Sequence, residues 1–253
     1  MKKAILCVSF GTSIDSARCS IDAVENVFKS AYPDYVFLSA FTSSIIRSVL
    51  KKRGETVMSV SEALDYLYTN GIKEIFVQPT HILYGNEYDK IKSEILPWQD
   101  KFDSLVLGEP LLANSKDLVS LASSLSCIYQ PSDNEALVLF GHGTNHFANA
   151  SYGALQTAFR LIERDNVFVG TVEGWPTLDD IISQLKRTSF KKVCIVPLML
   201  VAGDHALNDM AGNEDSWKTI LENQGFEVRC IISGLGTLKA VQNMYLSKLK
   251  KII

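Results

Sequence analysis

The sequence predicts an α/β protein of two similar doubly wound parallel-sheet lobes with a cleft between them, and three observations carry that prediction. Apolar strand-like runs alternate with helix-period stretches along the chain. Three of the strand segments recur, in the same order, in the second half. Parallel strands need crossover connections, and the crossing helices cover both sheet faces, so this alternation means open parallel sheets.

The first strand is "KKAILCVSFGTS" (Lys2 to Ser13). Its lysines and apolar run imitate a signal peptide, but the run breaks at Gly11-Thr12-Ser13 and Asp15 and Arg18 follow, so it reads as a strand. It lies on "DNEALVLFGHGTN" (Asp133 to Asn145) with Gly11-Thr12 on Gly143-Thr144. The helix-period stretch Ser20 to Tyr32 comes next. "DYVFLSAFTS" (Asp34 to Ser43) then lies ungapped on "DNVFVGTVEG" (Asp165 to Gly174), which pairs Thr42 with Glu173. A helix is expected over Ser59 to Gly71, started by Ser61-Glu62 and stopped by Gly71. "IKEIFVQPTHILYGNEYDKI" (Ile72 to Ile91) lies on "FKKVCIVPLMLVAGDHALND" (Phe190 to Asp209), with Pro79 on Pro197, Gly85 on Gly203 and Glu87 on His205. In the second half the helical stretches are Ala150 to Asp165 and Thr177 to Thr188, the latter started by Thr177 with Asp180. The polar, proline-containing "YQPSDN" (Tyr129 to Asn134) separates lobes of residues 1–130 and 131–253, with the last helix, through Val241, Met244, Tyr245 and Leu249, expected to cross back onto the first.

A chain of 253 residues suits two domains of roughly 120 residues each. A net charge of −3 gives no broad basic face for nucleic acid or an anionic membrane. No run approaches the roughly 18 apolar residues of a membrane span. Cys7, Cys19, Cys127, Cys194 and Cys230 are odd in number and lack a C-x-x-C pair, which fits neither a disulfide scaffold nor a zinc knuckle. The expected protein is soluble, cytoplasmic and reduced.

Ligands of doubly wound sheets bind beyond the carboxyl ends of the strands. There the second half places His142, Glu173 and His205, and two imidazoles with one carboxylate suit borderline divalent ions. The matching first-half residues are Phe10, Thr42 and Glu87, so the ligand-type side chains depart from the shared scaffold. A single histidine at a strand end is commonly a satisfied polar group; three such departures together point to a metal or acid/base site. His146 is a weaker fourth ligand and reads better as an exposed early-helix residue, while His81 sits beyond a strand on the opposite lip. Asp15, Asp204 and Asp209 are candidates to orient a ligand histidine. The Gly-Thr turns offer backbone N–H groups to anions but lack a nucleotide-binding glycine pattern. Phe10, Tyr84, Tyr88 and Trp175 form either core packing, the better reading for Trp175, or a flat wall for a planar ligand.

The segments "KKAILCVSFGTS", "AFTSSIIR", "HILYGNEYDKI", "LFGHGT", "GTVEGWP" and above all "PLMLVAGDHALNDMAGNEDSWK" resemble the anaerobic sirohydrochlorin cobaltochelatases of cobalamin synthesis, in order and over nearly the whole chain. The pattern is more distantly similar to protoporphyrin ferrochelatases and the shorter sirohydrochlorin chelatases. This resemblance implies a chelatase that inserts Co²⁺ into sirohydrochlorin and releases two protons. It implies that His142, Glu173 and His205 are the metal and catalytic residues, with His142 the base, and that the tetrapyrrole sits between the lobes. Ser9, Phe10, Gly11, Thr12, His81, Tyr84 and Glu87 are the candidate substrate-binding residues, with Ser13 and Arg18 further partners for the substrate carboxylates. No tightly bound cofactor is expected, cobalt being substrate, with Fe²⁺, Ni²⁺ or Zn²⁺ as alternative ions and a homo-oligomer compatible with the reading. The alternatives are Fe²⁺ or Ni²⁺ insertion into sirohydrochlorin or another porphyrin, and a carrier of metal or tetrapyrrole that performs no chemistry.

Overall fold

The computed structural model describes residues 2–253. Two four-stranded, all-parallel sheets organise the chain, with strand orders β2-β1-β3-β4 and β6-β5-β7-β8. The first is built from β1 (Lys3–Ser9), β2 (Val36–Phe41), β3 (Glu74–Pro79) and β4 (Ser104–Leu107); the second from β5 (Glu135–Gly141), β6 (Val167–Thr171), β7 (Lys192–Pro197) and β8 (Glu227–Cys230). The shared order means that one topology occurs twice, as the repeated segments require.

Central strands are covered on both faces, which explains their unbroken apolar runs. Ala4 to Val8 in β1 are fully buried, and every residue of β5 is buried. In the first unit one face packs Ala4, Leu6 and Val8 against α3 (Val60–Thr69) and α4 (Asn86–Ile95) through Leu64, Leu67, Ile91 and Ile95. The helix α1 (Asp15–Ala31) buries Ala17, Ile21, Val24 and Phe28, the spacing of one helical stripe. In the second unit Ala136, Val138 and Phe140 pack on α7 (Leu178–Leu185) and α8 (Trp217–Asn223).

Two sequence expectations shift at this level. The cap of α3 is Ser59, two residues ahead of Ser61, because Ser59 forms a reciprocal box with Glu62; Thr177 and Asp180 form the same box at α7. The boundary also moves. One compact unit runs to Ala113 and includes Gly236–Ile253; the other is Asn114–Leu235, so the division falls before α5 (Ser115–Ile128) rather than at residue 130. The cause is an exchange of terminal helices. Helix α5 follows β4 but packs on α6 (Ala150–Leu161), whereas α9 (Lys239–Leu249) follows β8 but packs on α1. Tyr245 of α9 is fully buried and donates to the Thr80 carbonyl at 2.6 Å, which ties that helix to the end of β3. The remaining helix, α2 (Ser44–Lys52), follows β2.

Sheet register corrects one pairing of the repeat. Val8 stands opposite Pro79 as Phe140 stands opposite Pro197, so these strands correspond as aligned. In the neighbouring strand, Ser43 N donates to Phe10 O where Glu173 N donates to His142 O. Glu173 therefore stands at the place of Ser43, one residue beyond Thr42. The ungapped match through Val36-Phe37 missed this because β2 is slid by one residue along β1: Ala4 faces Val36, but Leu137 faces Val167.

Candidate metal centre

All three ligand-type side chains of the second unit come from carboxyl ends of its strands. His142 follows β5, Glu173 lies two residues past β6, and His205 follows the Gly203 turn after β7. Each offers one ligand atom, and these atoms lie within 4.8 Å of one another. Among the described residues they are the one group of three or more such side chains so placed. The imidazole centroids are 4.6 Å apart with the rings at 88°, and His142 Nδ1 lies 3.8 Å from Glu173 Oε2. The side chains remain 44%, 57% and 35% exposed for His142, Glu173 and His205, so an ion arriving from solvent reaches them without unfolding anything.

The hydrogen bonds select which ring nitrogen is available. His142 Nδ1 is 2.9 Å from Gly143 O, and a carbonyl only accepts, so Nδ1 carries the proton and Nε2 keeps its lone pair. His205 Nδ1 is 2.6 Å from Asp209 Oδ2, and the same logic frees its Nε2. Asp209 reaches the ring from a π-helical turn, Ala206–Met210, a local widening that recurs at functional sites. The matching stretch of the first unit, after Gly85, is the ordinary helix α4.

Two glycines let the loops after β5 and β6 touch. Gly143 has φ +86°, and a Cβ there would lie 2.5 Å from Gly174 N. The equivalent Gly11 has φ +101°, which accounts for the shared Gly-Thr turn.

Other sequence candidates separate into distinct environments. Asp204 accepts from Asn208 Nδ2 at 2.8 Å, and Asp15 lies 3.8 Å from Arg53 Nη1; neither orients a ligand. His146 accepts from Ala148 N at 3.1 Å, capping the 3₁₀ turn ahead of α6, and lies outside the cluster. In the first unit Ser9 is fully buried and accepts from Thr80 Oγ1, while Thr12 Oγ1 accepts from Ile14 N. Phe10 is 48% exposed, and Tyr84 meets Tyr88 edge-on at 4.7 Å. Glu87 Oε2 accepts from Thr42 Oγ1 at 2.5 Å, and Lys90 Nζ donates to the Thr42 carbonyl. The first copy of the site is thus closed by its own side chains. Arg18 bonds Asp22 and stacks over Phe41, and the Ser13 carbonyl accepts from Arg53. Trp175, expected in the core, is 59% exposed, because its main chain rather than its ring is tied down, through Asn149 Nδ2 at 2.6 Å. Sequence reasoning missed Asn149; the signal was an amide two residues ahead of Ser151 in a turn whose first copy has alanine.

His81 is enclosed, and neither ring nitrogen has a hydrogen-bond partner. Burial pushes its pKa from 6.5 down to about 4, and the Lys90 ammonium adds to the shift. Between those values the unfolded chain binds a proton that the folded chain refuses, so this ring makes stability rise with pH through the window. His81→Leu is expected to flatten that part of the profile, by at most ~1.4 kcal/mol per pH unit. Urea unfolding from neutral pH to about pH 4.5 measures it, and an unchanged slope would rule His81 out as the source.

The chain is similar to known chelatases. The family described as cobalt chelatase (CbiK) matches residues 3–253. A sirohydrochlorin cobaltochelatase of Salmonella typhimurium is 38% identical over 261 residues, covering 100% of this chain and 97% of that protein. The sirohydrochlorin cobaltochelatase CbiKC of Nitratidesulfovibrio vulgaris is 32% identical, covering 98% and 89%. Among solved structures, SirB from Bacillus subtilis with Fe³⁺ shares the fold at a TM-score of 0.70 and 18% identity, covering 100% of this chain and 96% of that one. No helix is long and apolar enough to cross a membrane. Matched by the family over all but its first two residues, and by two relatives over nearly their full lengths, the chain belongs to the cobalt chelatase (CbiK) family.

Proposed function

We propose that the protein inserts Co²⁺ into sirohydrochlorin, with release of two protons, as a step of cobalamin synthesis. The observation that carries this reading is the convergence of His142, Glu173 and His205, in a chain whose relatives are named sirohydrochlorin cobaltochelatases. Insertion requires three things of the protein: partial dehydration of the ion, a hold weak enough to release it, and acceptance of the pyrrole protons. Three protein ligands displace part of the hydration shell and leave positions open for the incoming macrocycle nitrogens.

The two histidines divide the remaining work. His205 is held by a carboxylate, which makes it the stronger fixed donor. His142 is held only by a neutral carbonyl at Nδ1, so its Nε2 can leave the ion and accept a proton. Glu173 supplies the negative charge that offsets the ion. Phe10, half exposed at the end of β1, offers apolar surface to a macrocycle. The Ser9 hydroxyl is engaged by Thr80 Oγ1 at the end of β3 and the Thr12 hydroxyl by Ile14 N within its turn, so both would contribute only through the backbone.

Purified protein mixed with sirohydrochlorin and Co²⁺ is expected to change the macrocycle absorbance over many turnovers, faster than the uncatalysed reaction. Stoichiometric change without turnover would make it a carrier and sink the proposal. Assays with Co²⁺, Fe²⁺ and Ni²⁺ at limiting concentration identify the preferred ion, since intrinsic affinity follows the metal more than this donor set.

A further inference from the structure

We propose that Asn149 is a positioning residue that sets the separation of His142 and Glu173. Its Oδ1 accepts from Thr144 N at 3.0 Å, and its Nδ2 donates to Trp175 O at 2.6 Å. Thr144 lies two residues past His142, and Trp175 two residues past Glu173. One planar amide therefore bridges the same point of both ligand loops, alongside the Glu173 N to His142 O bond at 2.7 Å. Gly174 makes room for it: a Cβ there would lie 2.4 Å from Asn149 Oδ1.

Asn149 ends the 3₁₀ turn Phe147–Asn149 and leads into α6 with helical φ −56° and ψ −28°, and its side chain makes no cap bond to the helix. Both functions of the amide go instead to the two loops.

The duplicated copy supplies a control. Ile14 N donates to Thr12 Oγ1 at 3.1 Å and Ala17 N to Ile14 O at 3.0 Å. His146 N donates to Thr144 Oγ1 at 3.1 Å and Asn149 N to His146 O at 3.0 Å. Asn149 thus occupies the place of Ala17, and the turn itself folds with alanine. The amide is present in the copy that carries the ligands, like His142 in place of Phe10. His205 arrives on a separate loop with its own tie to Asp209, so Asn149 governs one edge of the ligand triangle.

The inference rests on the reading of His142, Glu173 and His205 as ligands, and the test separates the two. Co²⁺ binding to the protein alone is followed by titration calorimetry and by the metal's visible absorption, for wild type, His142→Ala, Asn149→Ala and Asn149→Asp. Asn149→Asp keeps the acceptor for Thr144 but sets a carboxylate oxygen against the Trp175 carbonyl. Both Asn149 variants are expected to bind Co²⁺ about tenfold more weakly, as for other outer partners of a metal site. The KM for Co²⁺ should rise while the KM for sirohydrochlorin and the thermal midpoint stay put. Unchanged Co²⁺ affinity in both variants overturns the inference. So does a loss that moves both KM values and the midpoint together, which marks a structural role only. Equal Co²⁺ binding by wild type and His142→Ala would instead show that the ligand reading itself is wrong, and the inference falls with it.

Discussion

Replacing His142 by alanine is expected to lower kcat/KM for metal insertion by about 10²- to 10⁴-fold, the usual contribution of a positioned general base. At about 1.4 kcal/mol per factor of ten, this amounts to ~3–5 kcal/mol of transition-state stabilisation. The fold should survive, because the side chain is 44% exposed and the equivalent residue of the first copy is the half-exposed Phe10. The loss should also take a specific form. His205→Ala removes a ligand but leaves His142 to accept protons, so raising the Co²⁺ concentration should recover part of its rate. His142→Ala removes ligand and base together and should stay slow at saturating metal. Steady-state rates against Co²⁺ concentration for both variants check this. Full recovery of His142→Ala at high Co²⁺ would make the residue a ligand only and return the proton transfer to solvent.

Legibility of the fold followed burial. The central strands β1, β3, β5 and β7 were readable as apolar runs because helices cover both of their faces, and the repeat added β2 and β6. The short edge strands β4 and β8 were not read. Each has four residues and is only partly buried, so the apolar run of β4 and the alternation of β8 are too short to mark a strand. The helices α2, α4, α5 and α8 were not read either; in α5 and α8, polar residues such as Ser, Lys, Asp and Asn dilute the apolar stripes. The unit boundary depends on which sheet a helix packs against, a tertiary choice. "YQPSDN" is a genuine break between α5 and β5, yet α5 already belongs to the second unit.

Legibility of the site followed departures from the repeat. His142, Glu173 and His205 stood out because Phe10, Thr42 and Glu87 at the matching places offer one ligand-type side chain where the second half has three, and the three converge in space. The one-residue error at Glu173 did no harm, since Thr42 and Ser43 are equally unlike a carboxylate. Asp209 was readable as one of three acidic candidates; the π-helical turn that brings it to 2.6 Å from His205 Nδ1 was not, because widening a helix by one residue leaves no local sequence mark. Asn149 escaped because its partners are the backbone groups of Thr144 and Trp175, which are chemically the same in every sequence. His81 was expected at a lip and is enclosed instead. A histidine beyond a strand end has the same sequence signature in both environments.

The scaffold beneath the metal site should be as sensitive as the ligands. Phe140→Ala is expected to destabilise the protein by ~3–5 kcal/mol, as for other buried aromatic truncations. Phe140 is fully buried in β5, opposite Pro197 of β7, and meets Trp217 of α8 edge-to-face at 4.8 Å. Removing the ring loses its own burial and one partner of an aromatic pair worth ~0.5–1.5 kcal/mol beyond area. The cavity cannot fill easily, since the Trp217 ring also closes on Gly170 of β6, where a Cβ would lie 2.8 Å away. Phe140→Leu keeps most of the volume and should lose clearly less. Urea unfolding of both variants measures the difference, and equal losses would mean that the aromatic pair contributes nothing. Co²⁺ affinity distinguishes packing from site geometry. Phe140 lies in β5 two residues before His142, which follows that strand, and the Leu198 N to Phe140 O bond at 2.7 Å ties it to the start of the loop that leads to His205. A cavity at this point loosens the two histidines relative to each other, so the alanine variant should weaken Co²⁺ binding even where it remains folded.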